Sequence, residues 1–270
     1  MKRLLQLGSH ITPRFASTMA GRRQPDITLY TDATPNGIKI TIALEELGIP
    51  YKLEHIDIST NRQKEDWFLE INPNGRIPAI TDTFSDGSKI RLFEGGSILQ
   101  YLAEQYDHDH VISYPQGSRE AYEVNNWVWW QAGGLGPMQG QANHFVRYAP
   151  ERIKYGMDRY TNESRRLYKV LENHLQKSKS GFLVGDHISI ADIAAVSWVI
   201  YAGWAGVDID EFPNVKKWEE MLYARPTVKK GCDIPKPLKI KELLRDKEKV
   251  EEHAKKGSQW IMQGMGEDKK

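Results

Sequence analysis

The hydrophobic positions fall into two kinds of periodicity. Ile27-Thr28-Leu29-Tyr30 is rich in strand formers and predicts a first strand. Thr34-Pro35-Asn36-Gly37 then has the marks of a helix start, with Thr at the N-cap and Pro at the first helical position. Ile40, Ala43, Leu44 and Leu47 fall at i, i+3, i+4 and i+7, one apolar stripe, and Gly48 ends the helix as a left-handed cap. A second strand is expected over 51–58, a short helix over 64–71 and a turn at Asn72-Pro73-Asn74-Gly75. Strands over 79–82 and 89–93 join through the hairpin signal Asp86-Gly87. A helix over 96–105 turns Ile98, Tyr101 and Leu102 inward. The order β-α-β-α-β-β-α within residues 26–107 predicts an α/β unit.

Residues 108–118 are polar and turn-rich and read as a linker, and from Arg119 the spacing is helical. Tyr122, Asn126, Trp129 and Trp130 share one helix. A long helix is expected over 150–176, with Arg165, Arg166 and Glu172 on its polar side. Ser189 and Asp192 form a capping box bracketed by Ile188 and Ile193, and it opens an apolar helix over 193–207. Another helix spans 213–224 and stops before Pro226. Residues 119–235 thus read as an all-helical unit, and 236–270 as a charged tail, an exposed helix or a loose segment.

Charge narrows the chemistry. The 270 residues carry 37 Lys and Arg against 36 Asp and Glu, which argues against nucleic acid as a partner. The longest uncharged, mostly apolar run, 193–207, falls short of the roughly 20 residues a membrane span needs. The single cysteine, Cys232, excludes an internal disulfide framework, a thiolate metal site and a dithiol redox motif. Residues 1–25 hold Lys2, Arg3, Arg14, Arg22 and Arg23, no acid, and several hydroxyl residues. They lack the apolar stretch of a secretory signal and have the composition of a mitochondrial transit peptide, with Arg14-Phe15-Ala16-Ser17 as a processing site. A plain disordered extension is the alternative, so the expected compartment is mitochondrial or cytoplasmic.

Four motifs carry a resemblance over residues 26–230: Thr34-Pro35-Asn36-Gly37, Arg76-Ile77-Pro78, Leu92-Phe93-Glu94 and the Ser189/Asp192 box. They resemble the glutathione transferase superfamily. Gly136 to Gln141 with Asn143-His144-Phe145, then Glu151 through Arg159-Tyr160, is similar to the nu-class bacterial transferases and to the branch of the yeast nitrogen-catabolite regulator that can become a prion. The resemblance implies an α/β thioredoxin-like N-terminal domain plus an all-α C-terminal domain, glutathione as cosubstrate, and a homodimer. It further implies reduction of small disulfides with two glutathiones, reduction of organic hydroperoxides, and weak conjugation to electrophiles. A non-catalytic regulatory or docking protein on the same fold is the alternative.

The same resemblance assigns residues. A thiol of pKa about 8.5 is only a few per cent ionised at neutral pH, and lowering that pKa by about two units takes roughly 2.7 kcal/mol of selective stabilisation of the anion. The start of the helix at Thr34 could provide it through free N–H groups, the Thr34 hydroxyl and the Asn36 amide. Capping by Thr34 alone is the alternative. Ile77-Pro78 is expected as a cis-proline turn whose Ile77 backbone pairs with the cysteinyl part of glutathione, and Glu94 as the acceptor for the γ-glutamyl ammonium. The family usually has Ser at the next position, bonding the γ-glutamyl carboxylate; here it is Gly95, which leaves a helix-start N–H for that task, with Ser97 two residues on. Gln63 matches a residue near the glycine carboxylate, and Arg76 lies on the same side. Arg159 and the Gln139–His144 segment are weaker candidates, with His144 more readily structural. Trp129, Trp130, Phe145, Trp198 and Trp204 are core residues or line an acceptor pocket. Cys232 lies too far along the chain to stand at the Thr34 helix, which leaves bound glutathione as the nucleophile.

Overall fold

The computed structural model describes residues 24–267. Apart from residues 24 and 25, the expected N-terminal extension lies outside the described residues, and the targeting expectation with it.

The first part of the chain runs β1 (Ile27–Thr31), α1 (Pro35–Leu47), β2 (Tyr51–His55), α2 (Asp66–Leu69), β3 (Ala79–Thr83), β4 (Lys89–Phe93) and α3 (Gly95–Tyr106). The sheet order is β2-β1-β3-β4, with β1 and β2 parallel and the other pairs antiparallel. This is the thioredoxin-like arrangement. In β1, Leu29 sits opposite Leu53 on one side and Ile80 on the other.

β2 ends at His55, short of the expected 58, because Asp57 accepts from the Ser59 N–H (3.0 Å) and opens a turn. Glu65, extended at ψ 146°, then divides the expected 64–71 helix into a short turn over 62–64 and α2.

α1 carries the weight of the interface between the two parts. It packs against α3 on its own side and against α7 (Ile190–Val199) and α9 (Pro226–Cys232) of the helical part. Every residue from Gly37 to Leu44 is therefore buried, Lys39 and Thr41 included, so its polar positions are not a solvent face. Thr41 Oγ1 donates to the Gly231 carbonyl (2.6 Å). Gly37 is required where it stands: a Cβ there would lie 1.9 Å from the Asp32 carbonyl oxygen.

The helical part adds α4 (Arg119–Trp130), α5 (Gly136–Asn143), α6 (Lys154–Leu175), α7, α8 (Pro213–Tyr223), α9, α10 (Ile240–Leu243) and α11 (Lys247–Glu267). A widened helical turn over Gln131–Leu135 joins α4 to α5. The capping box forms and does more than cap. The buried Asp192 carboxylate accepts from Ser189 N (3.0 Å), Ser189 Oγ (3.1 Å), Leu183 N (2.9 Å) and Trp218 Nε1 (3.0 Å). Burial pushes its carboxyl up and these donors pull it down.

Several expectations need correction. The apolar run expected as one helix over 193–207 ends as α-helix at Val199, followed by a 3-10 turn over Ala202–Ala205 and a left-handed Gly206 at φ 77°. At the break Tyr201 N donates to the Trp198 carbonyl (3.0 Å), a tightened turn, and Gln139 Nε2 donates to the same carbonyl (2.8 Å); beyond it Arg147 donates to the carbonyls of Gly203 (3.1 Å) and Trp204 (2.9 Å). Glu172, expected on a polar face, is buried. It accepts from Asn214 N (2.9 Å), Asn214 Nδ2 (2.6 Å) and Val215 N (3.1 Å), capping α8 from another helix. The long helix starts at Lys154 rather than 150, and Pro226 opens α9 as a first-turn residue.

The charged tail is not loose among the described residues. Ile240, Val250 and Ala254 are buried in the main apolar cluster, and Ser258 Oγ donates to the Tyr148 carbonyl (2.6 Å). Among the described residues, no helix is long and apolar enough to cross a membrane.

Candidate functional site

A cavity of about 580 Å³ opens where the start of α1 faces the helical part. Asn36, Arg76, Ile77, Pro78, Glu94 and Gly95 line it, all of them expected site residues. Lys39, Gln131 and Trp198 complete its inner wall. A larger cavity of about 920 Å³ lies between α8 and the C-terminal helices, but none of the expected site residues reaches it.

The Asn36 carboxamide is oriented. Its Oδ1 accepts from the Trp198 indole Nε1 (3.1 Å), which leaves the two Nδ2 hydrogens as its free donors. Trp198 is itself held: Gln139 Nε2 donates to its carbonyl (2.8 Å), and Gln139 Oε1 accepts from the Tyr168 hydroxyl (3.0 Å). Gln139 therefore supports the site without lining it. Thr34 sits at the N-cap, where its Oγ1 accepts from Gly37 N (3.1 Å), and it is not part of the cavity wall.

The Ile77–Pro78 peptide bond is cis. The loop before it is fixed by Asn72, whose Nδ2 donates to the Arg76 carbonyl (2.5 Å) while its Oδ1 accepts from Asn74 N (2.9 Å). Glu94 is held at φ 70°, a conformation non-glycine residues avoid at a cost of order 1–3 kcal/mol. It marks the junction of β4 and α3 and presents its carboxylate to the cavity.

The structure does not bring every expected residue to this cavity. Gln63 is buried and does not line it, with Nε2 donating to the Ile58 carbonyl (3.3 Å) and Oε1 without a hydrogen-bond partner. Arg159 lies on the exposed face of α6. His144 does not line the cavity, and of the five aromatic candidates only Trp198 does. Cys232 is buried against α1, outside the cavity, and burial pushes its thiol up to about 12.

Sequence reasoning missed Lys39 and Gln131. Lys39 Nζ donates to Gln131 Oε1 (3.0 Å), and the side chain is only 3% exposed. Burial pushes its ammonium down to about 7, with the Glu94 carboxylate acting in the opposite direction. The signal was present: a lysine three positions after Asn36 falls on the same helix face, inside an otherwise apolar helix.

The family called glutathione S-transferase, N-terminal domain, matches residues 34–105, and glutathione S-transferase, C-terminal domain, matches 146–226. The disulfide-bond oxidoreductase YfcG of Escherichia coli is 42% identical over 202 residues, which are 74% of this chain and 91% of that one. This chain belongs to the glutathione transferase superfamily. A glutathione transferase homologue from Lodderomyces elongisporus, solved with two glutathiones per subunit, matches this transferase-family chain with a TM-score of 0.75 at 43% identity. It covers 78% of this chain and 99% of its own. Ure2p, solved with glutathione, matches with a TM-score of 0.71 at 32% identity, covering 78% of this chain and 100% of its own. These matches put the transferase-family chain in the Ure2p-like branch.

Proposed function

We propose that this cavity binds glutathione and that the protein is a glutathione-dependent disulfide reductase. The observation that carries the reading is the fixed carboxamide of Asn36, with its donors free in a cavity it shares with the cis Ile77–Pro78 turn and Glu94. Asn36 Nδ2 donates to the glutathione sulfur and stabilises the thiolate. Thr34 sets the first turn of α1. The Ile77 backbone pairs with the cysteinyl unit, and Glu94 accepts from the γ-glutamyl ammonium. Arg76 draws the ligand's negative end. Gln63 supports the loop beneath it, and Arg159, exposed on α6, acts only from a partner subunit of the expected homodimer.

The chemistry balances with two glutathiones. The bound thiolate attacks one sulfur of a small disulfide, forming a mixed disulfide and expelling a thiolate that takes up a proton. A second glutathione thiolate attacks the glutathione sulfur of the mixed disulfide, giving glutathione disulfide and a second thiol. The relatives solved with two glutathiones per subunit support room for both. The YfcG and YghU relatives of Escherichia coli, both called disulfide-bond oxidoreductases, support the reaction type. Cys232, buried with its thiol pushed up to about 12, takes no part. Organic hydroperoxides form a second acceptor class, and conjugation is weak.

The test is glutathione-dependent reduction of 2-hydroxyethyl disulfide by the full chain, beside Asn36→Ala and Cys232→Ser. Turnover is expected from wild type and Cys232→Ser, and its loss from Asn36→Ala. Glutathione binding by calorimetry without any turnover from wild type would replace this reading with a regulatory or docking role.

A further inference from the structure

Gly95 and Lys39 occupy one space. A Cβ built on Gly95 would lie 2.9 Å from Lys39 Cδ, 3.6 Å from Cε and 3.5 Å from Nζ. The lysine side chain thus runs across the place where a side chain at 95 would begin, and the glycine is what admits it. Nothing beyond hydrogen is tolerated there without moving the lysine.

Lys39 is also incompletely satisfied. An ammonium has three donors, and buried charges are normally paired. Among the described residues, the hydrogen-bond acceptor of Lys39 Nζ is the neutral Gln131 Oε1, and no carboxylate lies within ion-pair distance. The side chain is almost fully buried, yet it lines the cavity. A buried cation on the wall of a ligand cavity, tethered by one neutral acceptor and with donors to spare, calls for an anionic ligand group. The other charged groups lining that cavity are Glu94 and Arg76.

Glu94 and Lys39 flank the start of α3 with opposite charge. An amino acid's α-carbon carries an ammonium and a carboxylate on one atom, so a neighbouring carboxylate and ammonium complement it. We propose that Lys39 binds the α-carboxylate of the γ-glutamyl group, and that Gly95 clears the space through which it reaches that carboxylate. This rests on the glutathione reading above and deepens it: the hydroxyl absent at position 95 is replaced by a cation supplied from α1.

Proton binding at Lys39 is coupled to this contact. The Lys39 ammonium, pushed down to about 7 by burial, is largely neutral at pH 8, and a bound carboxylate favours its charged form. Ligand binding at pH 8 then takes up a proton at Lys39.

The experiment compares two ligands on wild type and Lys39→Met by titration calorimetry, in buffers of different ionisation enthalpy. One ligand is S-methylglutathione. The other is its analogue in which 4-aminobutyryl replaces the γ-glutamyl group, so that the α-carboxylate is absent. Wild type is expected to prefer the carboxylate-bearing ligand by about tenfold or more at pH 6.5, the worth of a hydrogen bond to a charged group. It is also expected to take up about 0.4 of a proton with that ligand at pH 8 for a tenfold preference, and more for a larger one. Lys39→Met is expected to bind both ligands within about threefold, the residue of a pair term once one partner is gone, and to lose the uptake. A melting temperature at least equal to wild type shows that the variant folds.

Should Lys39→Met keep the full preference for the carboxylate, Lys39 does not hold that group and the proposal is wrong. If the preference persists while the absorbance-detected thiol pKa of bound glutathione rises, the lysine serves the sulfur instead, which also overturns it. Wild type binding neither ligand would remove the glutathione reading itself, a different failure from the first two. Gly95→Ser supplies an independent check: the serine displaces Lys39 and is expected to lower affinity for S-methylglutathione by about fivefold or more, as a lost hydrogen bond does. A rise in affinity would show that a hydroxyl, not the cation, belongs there.

Discussion

Trp198 donates its indole N–H to the Asn36 side-chain oxygen over 3.1 Å, joining residues 162 positions apart in the chain. The consequence is directional. A carboxamide can present either an acceptor or two donors to a ligand, and a donor bonded to its oxygen settles which. Trp198→Phe keeps the ring and removes the N–H, so the amide can turn over and face the sulfur with its oxygen. Turnover with 2-hydroxyethyl disulfide is expected to fall by about fivefold to thirtyfold, the worth of one to two hydrogen bonds in the transition state. KM for glutathione should move less than kcat. An unchanged kcat would separate Trp198 from the reaction.

Asn36→Asp tests the sign of the same interaction. The two side chains have nearly the same shape, but the aspartate offers an acceptor-only anion where the proposed role calls for a donor to a thiolate. A like charge nearby disfavours the ionised thiol. The pKa of bound glutathione, read from thiolate absorbance, is expected to rise by about one unit or more above that in wild type. Turnover at pH 7 should fall by at least about tenfold and recover partly at pH 9. A bound-thiol pKa equal to that in wild type would show that position 36 does not sense the sulfur.

Much of this site was legible before the fold. The Thr34-Pro35-Asn36-Gly37 start gave α1, the Ile77–Pro78 turn is cis, and Glu94 stands at the β4–α3 junction. These features are local: a cap, a turn and an element boundary are encoded within a few neighbouring residues. The supports of the site are not local. Trp198 comes from α7, Gln139 from α5 and Gln131 from the turn between α4 and α5, and pattern alone cannot pair them with Asn36 or Lys39. Lys39 and Glu172 share a further cause of error. Glu172 is expected on a polar face and Lys39 is passed over, and both are buried because their helices are packed on more than one side. At the break in the apolar run after Val199, the Trp198 carbonyl is likewise taken by a distant residue, Gln139, 59 positions away in the chain.

Cys232 gives a negative control with a physical basis. Its thiol is buried, and burial pushes it up to about 12, so the thiolate is scarce at neutral pH. Cys232→Ser is expected to keep at least half of wild-type turnover. Iodoacetamide should label the folded protein far more slowly than the same protein in guanidinium chloride. Rapid labelling of the folded chain, or loss of turnover in a well-folded Cys232→Ser, would return the cysteine to the mechanism.

Glu172 connects α6 to the start of α8, where the N-cap residue Phe212 has no side-chain acceptor to cap the helix. Glu172→Ala strips the acceptor from Asn214 N, Asn214 Nδ2 and Val215 N in a buried place. An orphaned buried donor costs about 1–3 kcal/mol, so the loss should reach at least about 2 kcal/mol. For a chain of this size, that lowers the melting temperature by roughly 4–8 °C. Glutathione affinity per folded molecule should stay within about twofold, since the cap is remote from the cavity wall. A melting temperature within about 1 °C of wild type would mean that water replaces the carboxylate at no cost.

Without ligand, Lys39 makes the stability of the fold depend on pH. Its ammonium has an ordinary value of 10.5 in the unfolded chain and is pushed down to about 7 in the folded one. Below pH 7 the lysine is charged in both states, and the folded state bears the full cost of burying it. Between pH 7 and 10.5 the unfolded chain binds a proton that the folded chain does not, so this group makes stability rise with pH. Above that window both states are neutral. Lys39→Met removes the dependence and leaves the other titrating groups in place. The variant should therefore be more stable than wild type at pH 6, and its advantage should shrink by on the order of 3 kcal/mol between pH 7 and pH 10. Denaturant unfolding across that range measures it. A saturating carboxylate ligand that holds Lys39 charged should flatten the wild-type slope. A difference between the two proteins that stays constant from pH 6 to pH 10 would mean that the folded protein leaves this ammonium at its ordinary value.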